Sequence, residues 1–182
     1  MIDFEVPIRG DVSEKNQVIF DDLKNTIGMV PNLYATMAYS DTALANYLQF
    51  QNGKTSFSTK EKEVINLVVS QINGCHYCQS AHTFLAKLNG LDEKQTHQIR
   101  LGFSNWDNKI DALVKLAKAV TESKGTSIEE ELEDFYDAGY TKANLIDLIL
   151  LIADKIVMNY LHNITKVPID FPIATELEIE TH

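Results

Sequence analysis

Apolar residues recur at three- and four-residue spacing along most of the chain. Period-two alternation never lasts beyond a few residues, so the pattern predicts helices throughout. Gly and Pro fall between the periodic runs as punctuation. Ser13 to Ile27 reads as a first helix closed by Gly28, and Pro31 is placed in the first turn of a second that runs to about Tyr39. Asp41 is expected to cap a third, ending near Gly53. Ser58 with Glu61 forms a capping box ahead of the apolar run Val64, Ile65, Leu67, Val68, Val69 and Ile72. Asn73-Gly74 breaks the chain, and a new helix starts at about Cys75 and ends at Asn89-Gly90. Asp92 to Leu101 is a short helix before Gly102. Asp107 to Lys124 places Ile110, Leu113, Val114, Leu116, Ala117 and Val120 on one face, with Gly125 as the stop. Ser127 with Glu130 reads as a second capping box for a helix that stops at Gly139. Thr141 caps the longest helix, to about Asn163, after which Pro168 and Pro172 end regular structure. The fold class is all-α, a bundle of helical hairpins.

The length of 182 residues suits one domain over positions 1–182 with a substantial core. Sixteen Lys and Arg against 26 Asp and Glu give a net charge of −10, with no basic cluster. That balance argues against nucleic acid or an anionic membrane surface as partner. Glu129-Glu130-Glu131 reads as a solvated helix face. The most apolar stretch, Leu145 to Met158, is interrupted by Asp147, Asp154 and Lys155 and is too short for a membrane span. The start, Met1-Ile2-Asp3-Phe4-Glu5, lacks the basic-then-apolar run of a signal peptide, so a soluble cytoplasmic protein is expected. Two Cys cannot make a disulfide framework, and in a reducing compartment a close pair points to redox chemistry or a metal.

Both Cys lie in Asn73-Gly74-Cys75-His76-Tyr77-Cys78-Gln79-Ser80-Ala81-His82. At about 100° per residue, Cys78 is about 300° round from Cys75 and His82 about 20° short of two full turns. Cys75, Cys78 and His82 therefore share one helix face, while His76 points elsewhere. A helix start or a neighbouring imidazole lowers a thiol pKa from its usual value of about 8.5. The dipole favours Cys75 as the thiolate, since it is nearer the helix start. The imidazole one turn on favours Cys78. Spacing alone leaves the two open. Redox or peroxidatic chemistry is the leading reading. A zinc site of Cys75, Cys78, His82 and a carboxylate, or two buried thiols beside an incidental His, are the alternatives. His162 is expected at the surface near the C-terminal dipole of the last helix, and His97 on a helix surface. Trp106 reads as packing, and Tyr47, Phe50 and Phe84 as core or subunit contacts.

The sequence resembles the AhpD-like alkylhydroperoxidase family within the carboxymuconolactone decarboxylase superfamily. The matching residues are Glu63, then Cys75-His76-Tyr77-Cys78 and His82, with the lead-in Phe57-Ser58-Thr59-Lys60-Glu61 and the trailing Gly90-Leu91, about residues 57–91 in all. The chain looks most like the peroxidase-related subgroup. The resemblance implies that Cys78 attacks a hydroperoxide and becomes a sulfenic acid, that Cys75 resolves it to a disulfide, and that Glu63 and His82 form a proton relay. It implies a dithiol electron donor, no metal or organic cofactor, and a homo-oligomer, a trimer or hexamer. The family's best-known peroxidases carry a His immediately before the second Cys. This chain has Tyr77 there, so a relay through that His is absent or altered. The decarboxylase branch lacks the Cys pair, which argues against lactone decarboxylation. A general disulfide reductase, or a non-catalytic helical oligomer with a zinc or redox-sensing site, are the competing functions.

Overall fold

Turns and caps divide the described residues into helices much as the pattern predicts. The structure, a computed structural model, describes residues 4–177; Met1–Asp3, the first part of the leader reading, and 178–182, with His182, lie outside the described residues. After a 3-10 turn at Arg9–Asp11 come α1 (Glu14–Ile27), α2 (Asn32–Met37), α3 (Ala43–Gln51), α4 (Thr59–Ile72), α5 (His76–Leu88), α6 (Glu93–Leu101), α7 (Asn108–Ser123), α8 (Glu129–Asp137) and α9 (Lys142–Thr165). No strand occurs among the described residues, and the fold is all-α.

The capping box at the head of α4 is formed. Glu61 accepts the Ser58 N–H at 2.9 Å, and Ser58 Oγ accepts the Glu61 N–H at 3.3 Å. Thr141 and Asn144 make the same reciprocal pair at the head of α9, at 2.9 and 3.3 Å. Two expected caps are not made. Asp41 does not cap α3, whose start is met instead by Ser40 Oγ accepting the Ala43 N–H at 3.2 Å. Ser127 does not cap α8, which begins after Ile128 without a side-chain cap. The reason is the backbone: Lys124, Gly125 and Ser127 all take positive φ in the turn that reverses the chain. An N-cap needs an extended conformation, which Ser127 at φ 54° cannot supply.

Helix α4 is the hub, packing against α5, α6, α7 and α9. One side of it meets a core built from Leu113, Leu116, Phe135 and Leu148, all fully buried, with Phe135 stacked on Tyr140 at 4.3 Å. Each such side chain contributes about 1.5–3 kcal/mol of burial energy. A second core joins Phe20, Leu33, Leu44 and Tyr47 from the N-terminal helices to the head of α5 and the end of α9, and Cys75 and Cys78 belong to it. The segment after α9 runs back over α5. There Asp170 accepts the Asn32 N–H at 2.8 Å and the Tyr77 phenol at 2.6 Å, and Arg100 holds the Thr175 carbonyl at 2.8 Å. No helix among the described residues is long and apolar enough to cross a membrane.

Candidate active site

The site is built on the α4–α5 hairpin. Asn73 and Gly74 end α4, with Gly74 at φ 62°, and the Cys75 N–H bonds back to the Ser70 carbonyl at 3.0 Å. This turn lays α5 against α4, so residues 19 apart in sequence meet: His82 Nδ1 lies 2.8 Å from Glu63 Oε2. Cys75 is the N-cap of α5 in extended conformation, and its sulfur accepts the Cys78 N–H at 3.2 Å. The Cα atoms of Cys75 and Cys78 are 5.3 Å apart and the two sulfurs are joined as a disulfide. All four residues expected from the sequence are thus gathered around one hairpin.

Electrostatics fixes the state of the His–Glu pair. Their side chains are only 12% and 10% exposed. Burial pushes the Glu63 carboxyl up, but the charge and hydrogen bond of His82, with Lys155 nearby, outweigh it and hold Glu63 below its ordinary value. Burial pushes His82 down, helped by the Lys155 charge, against the opposing pull of Glu63. Both directions favour a Glu63 carboxylate beside an uncharged His82 imidazole. The carboxylate accepts from Nδ1–H, which leaves the lone pair on Nε2.

Cys78 and His82 both line a cavity of about 390 Å³. Its wall is mostly apolar, with Phe84 and Leu88 toward solvent, and its polar groups include Tyr34, Gln51 and Lys155. Cys75, fully buried, is not part of the wall. An apolar pocket with a few convergent polar groups is the usual form of a small-molecule site. Sequence reasoning missed Tyr34, Gln51, Asp154 and Lys155. Tyr34 donates to Gln51 at 2.5 Å and Gln51 donates to Tyr47 at 2.8 Å; burial pushes the Tyr34 phenol up to about 12. The only sequence signal for Asp154 and Lys155 was their charge within an apolar helix.

Other expectations divide. His76 is exposed, and His97 lies on α6 within 3.1 Å of Glu93. Trp106 packs against the first core and Tyr47 is buried in the second. His162 is a correction. It is 5% exposed rather than superficial, its ring tilted against Tyr77 with centroids 5.3 Å apart, and burial pushes its pKa down, against its Nε2 bond to the Val167 carbonyl. Helix α9 runs to Thr165 and the following segment folds over this His. Phe84 is neither core nor plain surface: it lies at the cavity, 6.4 Å from Phe171, which the same segment supplies. Tyr77 spends its phenol proton on Asp170, and burial with that carboxylate drives its pKa well above ordinary tyrosine. Among the described residues no group of three or more His, Cys, Asp or Glu is placed to hold a metal ion.

With this geometry in place, comparison with known proteins gives a consistent class. Residues 38–122, from just before α3 to near the end of α7, match the model of the carboxymuconolactone decarboxylase family, a wider span than the Cys motif alone. The chain has the AhpD-like helical fold. It superposes on a peroxidase-related protein from Silicibacter sp. TM1040 with TM-score 0.78 at 21% identity, covering 91% of this chain and 88% of the other. An alkylhydroperoxidase AhpD core, peroxidase-related protein from Ralstonia eutropha JMP134 gives TM-score 0.82 at 17% identity, covering 92% and 91%. The debrominase Bmp8 gives TM-score 0.75 at 18% identity, covering 92% and 91%. At these identities the likeness is one of fold. No curated protein gives a significant sequence match.

Proposed function

We propose that this chain is a thiol-dependent oxidoreductase that reduces hydroperoxides, with Cys78 as the attacking thiol and Cys75 as the resolving one. The observation that carries the reading is that Cys78 opens onto the same apolar cavity as a neutral His82, itself held by the Glu63 carboxylate. In the reduced protein, His82 Nε2 takes the Cys78 proton. The thiolate attacks the terminal peroxide oxygen, the O–O bond breaks, and Cys78 becomes a sulfenic acid while the sulfur gives up two electrons. The leaving alkoxide takes the proton from His82 and departs as alcohol, or as water when the oxidant is hydrogen peroxide. Cys75 then attacks the Cys78 sulfur, releasing water and forming the disulfide seen here. A dithiol donor returns the pair to thiols. Cofactors are not required by this cycle.

The tie between dipole and base arguments leans to Cys78 because Cys75 is shut off from the cavity. General reduction of protein disulfides finds less support, since Cys75 is 0% and Cys78 3% exposed. This reading has the chain act in a reducing cytoplasm, as one domain within a homo-oligomer. Support for assembly comes from exposed Ile146, Leu150, Val157, Tyr160 and Ile164, which are four, seven, three and four residues apart and so share one side of α9. Gel filtration at micromolar concentration eluting at the mass of one chain would count against an oligomer.

The test of the chemistry is stoichiometric peroxide on the reduced wild type and the Cys75→Ser and Cys78→Ser variants, with dimedone trapping and mass spectrometry. A dimedone adduct on Cys78 in Cys75→Ser supports the assignment. An adduct only on Cys75 reverses the roles, and no reaction in any variant sinks the peroxidase reading.

A further inference from the structure

Lys155 sits in the middle of α9, is 2% exposed, and lines the cavity with Cys78 and His82. Burying an ammonium costs several kcal/mol unless partners compensate. Its nearest carboxylate, Asp154, lies at 3.6 Å, beyond hydrogen-bond range, and no other hydrogen bond to its ammonium is found among the described residues. A methionine would fill the same volume without that cost. Its ammonium therefore has no acceptor within hydrogen-bond distance among the described residues, and the residue lines the cavity that holds the reacting sulfur. Lys155 also acts on the pair behind it, since its charge helps keep Glu63 ionised and His82 neutral.

We propose that Lys155 is a catalytic residue of the peroxide reduction, its ammonium donating a hydrogen bond to the oxygen that leaves as the O–O bond breaks. This rests on the peroxidase reading above. Negative charge builds on that oxygen as the sulfur–oxygen bond forms, and a cation at this mostly apolar cavity stabilises it more than the uncharged peroxide. Lys155 keeps its proton. The proton that completes the alcohol is the one His82 took from Cys78, so atoms and charge balance as before. No proton shuttle through Tyr77 is needed, which fits the capture of that phenol by Asp170.

The test compares two oxidants that differ in the leaving group: an alkyl hydroperoxide, which expels a strongly basic alkoxide, and a peroxycarboxylic acid, which expels a weakly basic carboxylate. Single-turnover oxidation of Cys78 is followed by quenched flow and mass spectrometry in the reduced wild type and in Lys155→Met. Loss of the donor is expected to slow the alkyl hydroperoxide by about 100-fold or more, the usual cost of deleting one such donor, and the peracid by less than about 10-fold. Parallel losses with both oxidants, or no loss, overturn the assignment. Lys155→Leu, which also lacks a donor, makes the same comparison where Lys155→Met does not fold. The wild type gives an independent reading: its rate across hydroperoxides of graded leaving-group basicity is expected to vary shallowly, and a steep dependence also overturns it. A wild type in which neither oxidant touches Cys78 defeats the peroxidase reading itself, an outcome distinct from parallel losses.

Discussion

Glu63→Gln is the most informative single change at the site, because it keeps the size of the side chain and removes only its charge. In the wild type the carboxylate accepts the His82 Nδ1–H at 2.8 Å, with both side chains about nine-tenths buried. A hydrogen bond to a charged partner in such surroundings is worth about 1.5–3 kcal/mol. If that energy is used to orient and strengthen His82 as a base, its loss slows Cys78 oxidation roughly 10- to 150-fold, at 1.36 kcal/mol per decade. The upper end applies if the new amide turns its N–H toward Nδ1, since the lone pair then leaves Nε2. The pH profile adds a second readout. The Glu63 charge raises the His82 pKa, so its removal moves the acid limb of the rate profile to lower pH while the plateau falls. The assay is the second-order rate of Cys78 oxidation by an alkyl hydroperoxide in the reduced protein between pH 4.5 and 8. A plateau within a factor of about two of wild type and an unmoved acid limb would refute the reasoning, since the bond would then be structural only.

Tyr77→Phe removes a phenol that is bonded to Asp170 at 2.6 Å and lies away from any relay. A loss of about 1–3 kcal/mol in urea unfolding is expected, with Cys78 oxidation within about threefold of wild type; a loss of rate matching that of His82→Gln would place Tyr77 in the relay after all. His82 and His162 both sit below the usual histidine pKa in the fold, and Glu63 below the usual carboxylate value. Their stability contributions are full above the unfolded values, so the urea midpoint of wild type should fall as pH drops below about 6.5, and fall less in His162→Gln; a midpoint that is flat or rises on acidification contradicts the assignment. Leu148→Ala, at a position with no exposure in the core between α4, α7 and α9, should cost about 2–5 kcal/mol by thermal or urea unfolding, and a loss under 1 kcal/mol would mean that this core relaxes around the gap.

Much of the local structure was legible because it depends on neighbours in sequence. The boxes Ser58–Glu61 and Thr141–Asn144 satisfy backbone donors three residues away, and the stops at Gly28 and Gly102 need a left-handed residue at one position. Ser127 shows where this fails: its side chain suits a cap, but the reversal after α7 imposes a positive φ on it. His162 failed for a longer-range reason. Its place near a helix end suggested solvent, yet the segment carrying Val167, Asp170 and Phe171 returns over it and joins it to Tyr77.

By itself, the sequence determined the helices, the shared face of Cys75, Cys78 and His82, and, through family resemblance, the partnership with Glu63. Periodicity and motif spacing reach only across a turn or a hairpin. Tertiary structure alone decided which sulfur meets the cavity, that burial lowers the His82 pKa, that Tyr77 is tied to Asp170, and that Lys155 lines the cavity with Cys78 and His82. Each of these depends on burial and on charges from helices far apart in the chain, and desolvation is a property of the packed whole that no stretch of sequence carries.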